Sequence, residues 1–78
     1  MEIKILGTGC AKCKTLEKVT KEVVEQNKLD ATISKVEDIM EIMKYNVMST
    51  PALVVNESVE VKGRIPSADE IKQILLKY

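Results

Sequence analysis

Two cysteines stand where a strand pattern meets a helix pattern, and this junction constrains the fold more than any other feature of the chain. Residues 2–6 largely alternate polar and apolar side chains, as a short strand does. Gly7-Thr8-Gly9 is a turn signal, and apolar residues then recur at helical spacing from about residue 11 to 27. Cys10 and Cys13 are therefore predicted to lie at the first turn of a helix, where two thiols can close into a disulfide and reopen.

The remaining patterns complete the order of elements. A strand is predicted at residues 31–36, and Asp38 is suited to begin a short helix that ends near residues 45–46. A fully buried strand follows at residues 52–55, then an antiparallel edge strand near residues 59–62. Ser67 is suited to begin a last helix. The sequence thus predicts an α/β fold of order β-α-β-α-β-β-α, in one domain over residues 1–78.

This order favours one mixed sheet. A strand, a helix and a second strand near the N-terminus favour parallel pairing of the first two strands. The later hairpin adds an antiparallel edge. We therefore expect four strands with three helices packed on the sheet.

The core of this sheet must be aliphatic. The chain has no Phe or Trp, and its two aromatic residues are tyrosines. Met40 and Met43 fall at helical spacing with Ile39 and Ile42, and Met48 follows soon after. We interpret these methionines as core filling in a chain without Phe, rather than as copper ligands.

Charge and hydropathy exclude several classes of protein. The 12 basic and 12 acidic residues cancel and are interspersed, so no basic footprint for nucleic acid is present. No window has the apolar length needed to span a membrane, and the N-terminus lacks the apolar segment of a signal peptide. We predict a cytoplasmic monomer that binds neither nucleic acid nor membrane. In that compartment an isolated cysteine pair is catalytic or metal-binding more often than structural.

A structural zinc site does not suit this composition. Such a site needs four ligands, and the chain offers two cysteines and no histidine. Zinc would require a symmetric dimer that supplies two more cysteines.

Three segments together resemble the thioredoxin fold over essentially the whole chain. They are residues 9–13 with the Cys-x-x-Cys pair, residues 48–55 with Thr-Pro before a buried strand, and residues 62–67 with a Gly turn before the last helix. More narrowly, the chain resembles the small prokaryotic thioredoxin/glutaredoxin-like proteins with a redox-active disulfide. The resemblance implies a thiol–disulfide oxidoreductase.

The resemblance also implies roles for particular residues. Cys10 would attack as the nucleophile, because the positive end of the helix dipole favours its thiolate, and Lys12 would add positive charge nearby. Cys13 would be the resolving thiol. Thr50 and a cis Pro51 would lie against the pair, where the backbone before the proline binds an extended segment of the substrate.

The sequence departs from the better-known members of the family. Classical thioredoxins have Trp-Cys-Gly-Pro-Cys, whereas here Thr8-Gly9 precede the cysteines and Ala11-Lys12 separate them. The residues with which glutaredoxins bind glutathione are not evident. We expect a protein disulfide as substrate and either a thioredoxin-reductase-like flavoprotein or glutathione as electron donor. No bound cofactor is expected, since the redox centre is the Cys10–Cys13 disulfide.

Two other functions compete with this interpretation. The segment from Gly7 to Cys13 is also similar to the loop of copper-binding domains, in which two thiolates hold Cu(I). Against copper, the loop lacks the methionine usual in that family, the chain ends in a helix, and Thr50-Pro51 would have no role. A non-catalytic thioredoxin-like interaction module is disfavoured because both cysteines are kept at the reactive spacing.

Overall fold

The computed structural model describes residues 1–8, 11–48 and 50–78, and it confirms the predicted order of elements. In chain order these are β1 (Glu2–Leu6), α1 (Ala11–Gln26), β2 (Thr32–Val36), α2 (Ile39–Met43), β3 (Ala52–Val55), β4 (Ser58–Lys62) and α3 (Ala68–Leu75). None of the three helices in these ranges combines the length and apolarity that crossing a membrane requires.

The four strands form the expected mixed sheet, in the order β2-β1-β3-β4. β1 and β2 are parallel. Parallel neighbours need a long crossover connection, and α1 supplies it between these two strands. β3 is antiparallel to both β1 and β4, with a register irregularity between Leu53 and Val54. The two central strands, β1 and β3, therefore carry most of the buried side chains of the sheet.

One face of the sheet is covered by α1 and α3. Their apolar residues and the inward side chains of β1, β3 and β4 form one cluster, which is aliphatic as predicted. Its buried members are Ile3, Ile5, Leu16, Val23, Leu53, Val55, Val61, Ile71, Ile74 and Leu75.

The opposite face has a smaller cover. Leu6, Ala52 and Val54 project from this face and pack against Ile42 of α2 and Val47, the latter in the segment after α2. α2 has five residues, so it contributes a single fully buried side chain.

The predicted helix starts are confirmed. The Asp38 carboxylate accepts a hydrogen bond from the Met40 amide at 2.9 Å, and Ser67 Oγ accepts one from the Glu70 amide at 3.2 Å. Both side chains satisfy backbone donors that have no partner inside the helix.

The turn between β3 and β4 is anchored by a polar cluster at the sheet end where β3 finishes. Lys4 Nζ donates to Tyr45 Oη at 2.8 Å and to Glu57 Oε1 at 2.7 Å, and Tyr45 Oη donates to Glu57 Oε2 at 2.9 Å. The hydrogen bond from Lys4, followed by that from Tyr45, lowers the pKa of Glu57 below its ordinary value. The cluster ties β1, the end of α2 and the β3–β4 turn together.

Replacing the Glu57 carboxylate should lower stability in a way that depends on pH. The pKa of Glu57 is lower in the folded chain than its ordinary 4.5. Its contribution to stability is therefore present above pH 4.5 and is lost as the pH falls through the lower, folded value. We expect Glu57→Gln to have a lower unfolding temperature than the wild type at pH 7, and the difference to shrink well below pH 4.5.

Glu22→Gln, at an exposed position of α1, is the matched control and should not show this pH-dependent difference. Thermal unfolding followed by circular dichroism measures both variants. A difference for Glu57→Gln that stays constant into acid would contradict a charge-based contribution.

Candidate functional site

The antiparallel pairing of β1 and β3 builds the candidate site. In its register Leu6, the last residue of β1, stands opposite Ala52, the first residue of β3. The segment that leaves β1 and the segment that enters β3 must therefore lie side by side. The first leads to Cys13 at the start of α1 and the second contains Thr50-Pro51, so residues far apart in sequence meet at one end of the sheet.

Cys13 lies in the first turn of α1 and is nearly buried, with 6% of its surface exposed. This burial fits a thiol that attacks a sulfur of its own chain, rather than one that meets a partner protein first. Cys10 lies outside the described residues, and its predicted role as nucleophile and its predicted disulfide with Cys13 stay predictions.

Thr50 and Pro51 lie directly before β3. The peptide bond between them is cis. Pro51 is buried and Thr50 is exposed. The Gly63 amide donates a hydrogen bond to the Pro51 carbonyl oxygen at 2.9 Å, and Gly63 has a φ of 77°, a conformation that favours glycine. The Gly turn after β4 therefore holds Pro51 in place.

Thr50 and Cys13 both lie close to Gly7. Gly7 follows β1, is buried, and donates its amide to the Val36 carbonyl oxygen at 3.0 Å. A Cβ placed on Gly7 would clash with Cys13 Sγ and would lie 3.9 Å from Thr50 Cβ. Cys13 and Thr50 thus both border the small space beside Gly7. Sequence reasoning took Gly7 only as a turn residue, because a sequence does not show which side chain a glycine faces.

Lys12 is exposed in the same first turn of α1. An exposed lysine contributes little to the field at a neighbouring sulfur, since water screens its charge. Its predicted effect is on Cys10, outside the described residues, and stays a prediction.

An open apolar groove of about 350 Å³ adjoins Thr50. One part of its wall is polar, and the rest is formed by apolar side chains of α2 and of the segment after it. The lining residues are Thr8, Thr50, Ile39, Ile42, Met43, Val47 and Met48.

The prediction that the methionines fill the core is wrong, because all three side chains are exposed. Met40, Met43 and Met48 are 69%, 61% and 99% exposed. For Met40 and Met43 the physical reason is the length of α2, since one short helix turns a single apolar row toward the sheet, and Ile42 already occupies it. Met48 lies beyond α2, in a segment where Val47 packs on the sheet instead. The sequence carries no signal for this exposure, because the covered side of a short segment depends on residues distant in the chain.

The arrangement is suited to thiol chemistry beside a binding surface. A nearly buried cysteine at the start of a helix and the exposed Thr50 both border the space beside Gly7, and Thr50 also lines an apolar groove. Over residues 1–8, 11–48 and 50–78, no three side chains among His, Cys, Asp and Glu come together in a way that could hold a metal ion.

Comparison of this chain with known proteins shows its family. The model of a thioredoxin domain family matches residues 1–76. A thioredoxin of Methanothermobacter thermautotrophicus is 39% identical over 75 residues, which are 96% of this chain and 97% of that protein. A thioredoxin of Methanocaldococcus jannaschii is 41% identical over 76 residues, which are 97% of this chain and 87% of that protein. The family and both relatives are named as thioredoxins, and none is named as a copper-binding protein.

Proposed function

Since this chain belongs to the thioredoxin family, we propose that it is a thiol–disulfide oxidoreductase whose redox centre is Cys10 and Cys13. The observation that carries the proposal is the place of Cys13. It is nearly buried in the first turn of α1 and shares the space beside Gly7 with Thr50. Both relatives are named as thioredoxins and align with nearly the whole of this chain, which supports the same chemistry here.

The proposed reaction exchanges one disulfide for another. The Cys10 thiolate attacks a sulfur of the partner's disulfide, which forms a mixed disulfide and releases the partner's first thiol. Cys13 then attacks the Cys10 sulfur, so the partner leaves with its second thiol. The partner disulfide gains two electrons and two protons, and the Cys10–Cys13 pair loses them.

The surroundings of the pair suit each step. The amide groups at the start of α1 and its dipole favour the thiolate of Cys10, and Lys12 adds to this weakly. The burial of Cys13 shields the resolving thiol from an incoming disulfide, which fits attack by Cys10 as the first step of the proposed reaction. The backbone at Thr50 and Pro51 is proposed to bind an extended segment of the partner, with the groove beside it receiving an apolar side chain.

A flavoprotein reductase or glutathione would return the two electrons. The direction of electron flow in the cell depends on the reduction potential of the pair. Location in the cytoplasm and a monomeric state are predictions from the sequence.

Serine variants of the two cysteines test the proposal. We expect Cys10→Ser to lower the rate of insulin disulfide reduction by about 10³-fold or more, because the attacking sulfur is gone. Cys13→Ser should also lose turnover, but Cys10 should still attack. This variant should therefore accumulate as a mixed disulfide with the partner, which intact-protein mass spectrometry detects as an adduct that a reductant removes.

A parallel titration with Cu(I) defines the result that would contradict the proposed oxidoreductase. Failure of the wild type to form a reversible intramolecular disulfide, together with tight stoichiometric Cu(I) binding lost in either serine variant, would replace the oxidoreductase with a copper-binding domain.

The apolar groove generates a second test. Met48 is 99% exposed, so Met48→Glu should leave the fold intact while placing a charge in the groove. We expect KM for insulin to rise about tenfold, which corresponds to about 1.4 kcal/mol. The rate with a small aromatic disulfide such as 5,5′-dithiobis(2-nitrobenzoic acid), which needs no extended groove, should be unchanged.

Met40→Glu is the matched control, because Met40 is also exposed on α2 but does not line this groove. An equal rise in KM for both variants would indicate a general charge effect. No change for Met48→Glu would show that partners do not use the groove.

A further inference from the structure

Among the described residues, Gly7 is a glycine whose need is set by a neighbour rather than by its own backbone. Of the two described glycines, Gly63 has a positive φ and Gly7 does not. Other residues could adopt the backbone of Gly7. The reason for a glycine must therefore lie in the space around it.

That space is filled by Cys13. A Cβ on Gly7 would clash with Cys13 Sγ and would lie 3.0 Å from Cys13 Cβ, a separation tighter than ordinary packing. Sγ can leave this space by rotation about the single Cα–Cβ bond when no disulfide holds it, whereas Cβ is fixed to the helix backbone of α1. A methyl group at position 7 would have to rotate the Cys13 side chain or shift the first turn of α1.

The backbone of Gly7 cannot easily move away instead. Its amide is hydrogen-bonded to Val36 at 3.0 Å, which continues the pairing of β1 with β2 by one residue. On the side toward β3, Thr50 Cβ would already be in van der Waals contact with the added atom. Gly7 is thus held between β2 and the segment that enters β3, and Cys13 would have to give way.

We propose that Gly7 is a positioning residue of the redox centre: its missing side chain leaves the space in which Cys13 Sγ lies when the pair is oxidised. The inference rests on the proposed function. Oxidation removes two electrons and two protons from the two thiols and joins their sulfurs, and a glutathione or dithiothreitol disulfide takes up those electrons and protons. A disulfide fixes the position of both sulfurs, whereas a thiol can rotate to another rotamer. Crowding at position 7 therefore disfavours the oxidised form more than the reduced form.

Gly7→Ala tests this inference through the reduction potential. Wild type and variant are equilibrated with glutathione or dithiothreitol buffers of known ratio, and the oxidised fraction is measured by the mass shift on thiol alkylation. We expect the equilibrium constant for oxidation of the pair to fall at least tenfold, which raises the potential by about 30 mV. Unfolding of each redox form in urea should show a larger loss of stability for the oxidised variant.

Ile3→Val is the matched control. It removes one buried methylene from β1, four residues before Gly7, in the cluster with Leu53 and Val55. This control should lower the stability of both redox forms and leave the potential unchanged. A purely structural role for Gly7 would give the same result in Gly7→Ala, and that result would overturn the inference.

A double-mutant cycle keeps the inference testable if Gly7→Ala folds poorly. Cys13→Ala removes Sγ, the atom nearest to the added methyl. Gly7→Ala should therefore cost less stability in the Cys13→Ala background than in the wild type, and equal costs would overturn the inference. Absence of a reversible disulfide in the wild type itself would instead contradict the proposed function, so the two failures are distinguishable.

Discussion

The antiparallel pairing of β1 with β3 is the constraint on which the rest of the site depends. It joins the first strand to one that lies far along the chain, and it places the end of β1 opposite the beginning of β3. Gly7 directly follows β1 and Pro51 directly precedes β3, so the chain around these two residues must come close together. Cys13, Gly7 and Thr50 meet for this reason, and no local sequence preference would bring them together.

The two faces of the sheet are covered to different extents. α1 and α3 bury a large aliphatic cluster on one face, which anchors the helix that carries Cys13. The other face has only α2 and Val47 over Leu6 and Val54, so much apolar surface at α2 stays exposed. A contiguous exposed apolar surface on a small domain marks an interaction site more often than an accident of packing. A short helix therefore accounts both for the smaller core and for the groove beside the thiol.

Polar interactions of the described residues anchor both ends of the sheet. Lys4, Tyr45 and Glu57 are hydrogen-bonded near the β3–β4 turn, where Val55 pairs with Ile3. A bidentate pair between Arg64 and Glu70 lies before and within α3, where the Arg64 guanidinium lowers the pKa of the Glu70 carboxyl. These groups are hydrogen-bonded to one another, and they fix a turn and a helix start.

Local patterns in the sequence determined the elements and the family. Alternation, helical spacing and the caps at Asp38 and Ser67 were enough to predict β-α-β-α-β-β-α, because each is a preference of neighbouring residues. The Cys-x-x-Cys and Thr-Pro motifs added a resemblance to the thioredoxin family, which the match to the family model confirms. Only the tertiary structure decided that Met43 and Met48 are exposed and that Gly7 faces Cys13. Which side of a short helix is covered, and which atom fills the space beside a glycine, depend on residues distant in the chain, and no local pattern records them.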